Sequence, residues 1–116
     1  MTLPLTQDML RAAYNYLDKT PPFNKWNLPD PDDVKFKVVR DRVNQGFHLF
    51  DNGKHTICVS GAQVGHTITL LGLMAHEMIH VHEQHSHACT KGEHSAAFRK
   101  WALEVCAFHG FDPKYF

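Results

Sequence analysis

The sequence predicts an α+β domain with one N-terminal helix, a small three-stranded sheet containing a hairpin, and two C-terminal helices. Three observations carry this. Helix-capping signals mark the start of the chain, and apolar residues recur with a helical period toward its end. Between them, Val34-Lys35-Phe36-Lys37-Val38 alternates apolar and charged residues, the period of a half-buried strand. Asp51-Asn52-Gly53-Lys54 then separates two strand-like runs, 47–50 and 55–59, with the dipeptide most typical of a tight hairpin. At 116 residues and 43% hydrophobic content the chain is sized for a single domain over residues 1–116, and too apolar for a disordered tail.

The first helix is expected over about residues 7–18. Thr6 can cap it, and Leu5 with Leu10 can form a hydrophobic staple around that cap. Pro21-Pro22 stops it, and residues 20–33, rich in Pro, Asp and Asn, read as an irregular loop in which Phe23 and Trp26 are anchors to the core. The strands follow, and then residues 67–82 read as an amphipathic helix. Leu71, Met74, Met78 and Val81 line one side of it; His76, His80 and Glu83 line the other.

That helix carries His76-Glu77-Met78-Ile79-His80. Residues i and i+4 of a helix share one face about 6 Å apart, so two imidazoles can reach one metal ion. Zinc accepts neutral imidazole nitrogen, and a catalytic zinc site keeps one position for water. Glu77, next to the first ring, can act on that water as a general base. With ten His and four Glu in the chain, a shuffled composition would produce this pattern roughly 3% of the time, so the helical setting adds weight that the motif alone lacks.

Six of the ten histidines lie between 76 and 94, and a third ligand must be chosen among them. His82 and His85 point away from the His76/His80 side. His87 would lie about 16 Å along the axis from His76 in a continuous helix, too far to share an ion. A third ligand must come from chain that turns back, and His94 is the candidate. Thr90-Lys91-Gly92-Glu93 has the form of a capping box, which starts a second helix with His94 in its first turn. His94, Phe98, Trp101, Val105 and Phe108 then form one inward stripe, and Gly110 suits the left-handed residue that ends the helix.

These residues resemble the SprT-like zinc metallopeptidases. The similarity runs from Ile57-Cys58-Val59-Ser60 through Leu70-Leu71 and the His76–His80 motif to His94-Ser95-Ala96-Ala97-Phe98 and His109-Gly110-Phe111, covering about residues 34–111. Ser95 stands where the family usually has Gly, and no Cys-rich zinc ribbon follows. The resemblance implies a minimal zincin-like fold, one Zn2+ held by His76, His80 and His94, Glu77 as catalytic base, and hydrolysis of peptide bonds in a protein or peptide substrate. In zincins an edge strand beside the active-site helix pairs with extended substrate, and the strand around 55–60 is the candidate for it here. An oxyanion donor is expected, with His66, Tyr115 and the 82–87 stretch all open. Glu83 reads either as an outer partner of the site or as a solvated surface carboxylate.

Some members of that family act on proteins attached to DNA. Here net charge is zero and no run of Lys or Arg stands out, which weighs against strong autonomous DNA binding. No apolar stretch is long enough to span a bilayer, so no membrane partner is expected. Cys58, Cys89 and Cys106 form no CxxC pair, and residues 1–4 lack the features of a signal peptide; the expectation is a cytoplasmic protein in which Cys58 and Cys106 pack as small hydrophobes. The alternative function is a non-catalytic histidine-rich metal-binding module, which would bind several ions and give Glu77 no task.

Overall fold

The computed structural model describes residues 5–62, 67–85, 96–113 and 116. Its elements are α1 (Gln7–Asp18), β1 (Val34–Val39), β2 (Gly46–Asp51), β3 (Lys54–Ser60), α2 (Thr67–His85) and α3 (Ala96–His109). The expected α+β class, helix count and three-stranded sheet are all present.

Thr6 caps α1 by accepting the Met9 amide at 3.3 Å, and Leu5 packs against the core beside buried Leu10, as the capping pattern requires. Leu10, Ala13, Tyr14 and Leu17 form the inward face of α1. Two short 3-10 turns, Phe23–Lys25 and Pro31–Asp33, organise the Pro-rich loop. Fully buried Phe23 pins one end of it, and the Tyr14 hydroxyl donates to the Pro29 carbonyl at 2.6 Å.

In the sheet the order is β1-β3-β2, with β1 parallel to β3 and β2 antiparallel to it. The hairpin turn is Asn52-Gly53, at φ values of 51° and 77°, the left-handed pair that a two-residue turn between right-twisted strands needs. The alternation in β1 holds, with Val34 and Phe36 buried and Lys35 and Lys37 exposed. The strand at 54–60 is not an edge. β3 is paired on both sides, because β1 crosses over to lie beside it, and the edge next to α2 is β2. Alternation within a strand carries no information about which neighbours flank it.

The face carrying Val34 and Phe36, Ile57 and Val59 joins Leu10, Ala13, Tyr14 and Leu17 of α1 and Met74, Met78 and Val81 of α2 in one core. Helix α2 is not the two-sided helix that the sequence suggests. Met74, Ala75, Glu77, Met78, Ile79, Val81 and Glu83 are all buried, because α1, α3 and β2 pack around it. The stripe through Thr69, Leu73, His76 and His80 stays half-buried, so little of the helix is left as a solvent face to keep polar. Gly46 permits the approach of β2: a Cβ there would meet the Cys58 carbonyl oxygen at 2.7 Å and a Leu73 methyl at 3.0 Å.

Helix α3 buries Phe98, Val105 and Cys106, with Trp101 and Ala102 against the core, while Phe108 is 57% exposed. Phe108 therefore leaves the stripe expected for it. At about 100° per residue Phe108 stands about 80° off the line of Phe98 on one side and buried Cys106 as far off on the other, so the packed face leans toward Cys106. Gly110 closes α3 in the left-handed region (φ 77°), its amide donating to Cys106 at 2.8 Å.

Candidate functional site

Helix α2 brings His76, Glu77 and His80 together at the centre of the fold. The two imidazole centroids are 5.1 Å apart with the rings inclined at 68°. Phe98 of α3 covers both rings, at 4.9 Å from His76 and 4.5 Å from His80.

The hydrogen bonds of the two rings fix their tautomers. His76 Nδ1 lies 3.1 Å from the main-chain oxygen of Phe116, which can only accept. His80 Nδ1 lies 3.0 Å from Glu83 Oε1, and Glu83 is itself buried. With each Nδ1 donating to its acceptor, the ring in its neutral form carries its lone pair on Nε2. A ring fixed in this way by a carbonyl or carboxylate is what a metal-binding imidazole requires, since the outer bond sets both the tautomer and the ring plane. Glu83 thus partners His80, and the solvated alternative is excluded by its 3% exposure.

Glu77 is 3% exposed and lines a cleft of about 610 Å³ together with His76. The opposite walls of the cleft are the segment 43–46, leading into β2, and the segment 110–112 with Phe116. Beneath it, burial, reinforced by Glu77 and opposed by Lys37, pushes the Cys58 thiol up, so Cys58 stays a thiol and packs as expected.

His94, the proposed third ligand, lies outside the described residues, as do His66, His87, Cys89, Tyr115 and the 90–93 capping box. Among the described residues no group of three or more His, Cys, Asp or Glu side chains is placed to hold a metal ion. The donor set supplied by α2 nevertheless suits zinc: two imidazoles that present Nε2 lone pairs when neutral, with outer partners on both rings.

Sequence reasoning missed three features. The Phe116 oxygen on His76 comes from 40 positions away, and a main-chain acceptor leaves no trace in residue type. His48 and His55, on β2 and β3, bond to each other at 2.9 Å (Nε2 to Nδ1), and His48 stacks at 6.4 Å over His80. Burial, then the neighbouring His55 and His80, lowers His48 to about 3, so it is neutral. Their alternate positions on antiparallel strands were legible, but the register that pairs them with α2 was not. His82 is the third. It lies flat on Trp26 at 4.2 Å and edge-on to Trp101 at 4.4 Å, joining the Pro-rich loop and α3 to α2.

Comparison of the chain with family models, curated proteins and solved structures finds no match. No described helix is long and apolar enough to cross a membrane.

Proposed function

We propose that this protein is a zinc-dependent metallopeptidase of the SprT-like kind, with His76, His80 and His94 as the zinc ligands and Glu77 as the general base. The observation that carries the reading is the paired tautomer control. Both motif rings present Nε2 because Phe116 and Glu83 hold their Nδ1 protons. Surface histidines have no need of a buried carboxylate to orient them. The entry into α3 supports His94: Phe98, four positions later in the sequence, lies on both rings.

Zinc held there supplies a Lewis acid that acidifies water and polarises a carbonyl group. The chain's own residues do the rest. Glu77, walled in but opening on the cleft, accepts the proton of the attacking water and passes it to the leaving amine. Phe116 and Glu83 hold the rings in their planes, and Phe98 shields them from bulk water. The outer side of β2, which pairs with no other described strand, can hold a substrate chain extended by main-chain bonds. Buried, unbridged Cys58 and Cys106 suit a reducing cytoplasm.

Zinc stoichiometry and peptide hydrolysis measured together, in wild type and Glu77→Gln, test this reading. The expected result is one zinc per chain in both, with hydrolysis about 10²–10⁴-fold slower in the variant. Several ions per chain, or unchanged hydrolysis in Glu77→Gln, would replace the peptidase with a metal-binding module.

A further inference from the structure

The cleft beside Glu77 runs along one stripe of α2: Thr69, Gly72, Leu73, His76 and Glu77 all line it, at the i, i+3, i+4, i+7 and i+8 spacing of a single helix face. Gly72 is anomalous there. A glycine inside a helix is less stable than alanine, and such a position ordinarily has a packing reason. Here no described heavy atom lies within 4 Å of where its Cβ would be. Its φ is not in the left-handed region either. Among the described residues neither neighbours nor backbone require glycine at 72, one turn ahead of His76. What its missing side chain does is deepen the cleft at that point.

The walls around this deepening are apolar and partly open. Leu73, Phe111 and Phe116 are each half-buried, with Phe111 and Phe116 stacked at 5.9 Å, and Val43 at the mouth is 88% exposed. Among the described residues the charged ones lining the cleft are Glu77 and Asp112. Gly46, the first residue of the β2 edge, is also in the wall, so a chain laid along that edge passes the cleft.

We propose that the cleft over Gly72 is a side-chain subsite that selects a bulky apolar residue, such as Phe, Leu or Met, next to the bond to be cleaved. Gly72 is the residue that sets its depth. A small side chain would leave Leu73, Phe111 and Phe116 in water. This inference rests on the peptidase reading for its role in cleavage, but the subsite can be tested without any hydrolysis.

The probes are N-acetyl-Gly-Phe-Gly-amide and its Gly-Gly-Gly counterpart. Each is titrated into the zinc-loaded Glu77→Gln protein and followed by amide chemical shifts. Burying one phenylalanine ring corresponds to about 10- to 100-fold in affinity, so the Phe peptide should bind that much more tightly than the Gly peptide. The largest shifts should fall at Gly72, Leu73 and Phe111. Adding Gly72→Leu should bring the Phe peptide down to the level of the Gly peptide. Gly72→Ala should raise Tm, because the helix gains and nothing is displaced. Equal binding of Phe and Gly peptides, an unaltered preference in Gly72→Leu, or a lower Tm in Gly72→Ala would each overturn the subsite. If the Phe preference holds while wild type hydrolyses no peptide, the subsite stands and the peptidase reading falls. Glu77-dependent hydrolysis with no preference for Phe over Gly would do the reverse.

Discussion

Helix α2 uses the same side chain in two opposite ways, within two residues. His76 and His80 are held at their edges: an acceptor takes each Nδ1 proton, so the ring is fixed with its other nitrogen's lone pair forward. His82 is held by its faces, lying flat on Trp26 and against the edge of Trp101. Edge bonding fixes a tautomer; face stacking fixes only a plate. On the proposed function, the surroundings of an imidazole, not its presence in a histidine-rich stretch, would mark it as a ligand.

The largest expected effect breaks the edge-held pair. His80→Phe keeps an aromatic ring of similar size and removes both nitrogens, so zinc binding measured by calorimetry should disappear. Retention of one tight zinc would show that the pair is not the site. Next comes the face-held region. Trp101→Ala removes a half-buried indole that contacts His82 and Trp26, and should cost about 2–4 kcal/mol in denaturant unfolding of the zinc-free protein. A loss below about 1 kcal/mol would show that the stack contributes little to joining the loop, α2 and α3.

Glu83→Ala sharpens the contrast at the edge. It leaves the His80 ring in place without its orienting carboxylate and should weaken zinc about 10- to 100-fold. Glu83→Gln, which keeps an oxygen acceptor, should recover part of that loss; identical affinities for the two variants would make the Glu83 bond irrelevant to the ring. The smallest effect should come from His82→Phe. The flat contact survives, so stability should change by less than about 1.5 kcal/mol with zinc affinity unaltered. A loss of zinc comparable to that of His80→Phe would erase the distinction between the two kinds of histidine.

Most of the fold was legible because it is written locally. The cap at Thr6, the Asn52-Gly53 turn, the alternation in β1 and the glycine that ends α3 each depend on a few adjacent residues, and each is present. What failed depended on partners distant in sequence. β3 is central rather than an edge because β1 crosses to its far side, and α2 is enclosed because three elements converge on it. The same division runs through the candidate site. The spacing of His76, Glu77 and His80 is local and could be read directly. The oxygen of Phe116, the His48–His55 pair and the cleft over Gly72 arise from segments that meet only in three dimensions. Glu83 lies between these cases, since its i+3 position from His80 was readable but its burial was not.

The most direct test is an anomalous difference map from crystals of the zinc-loaded protein, collected at the zinc edge. It should show one peak per chain at about 2.0–2.1 Å from Nε2 of His76 and of His80, with His94 completing the protein ligands. A peak bound through Nδ1 of either motif ring, or one lying away from the pair altogether, would contradict the account.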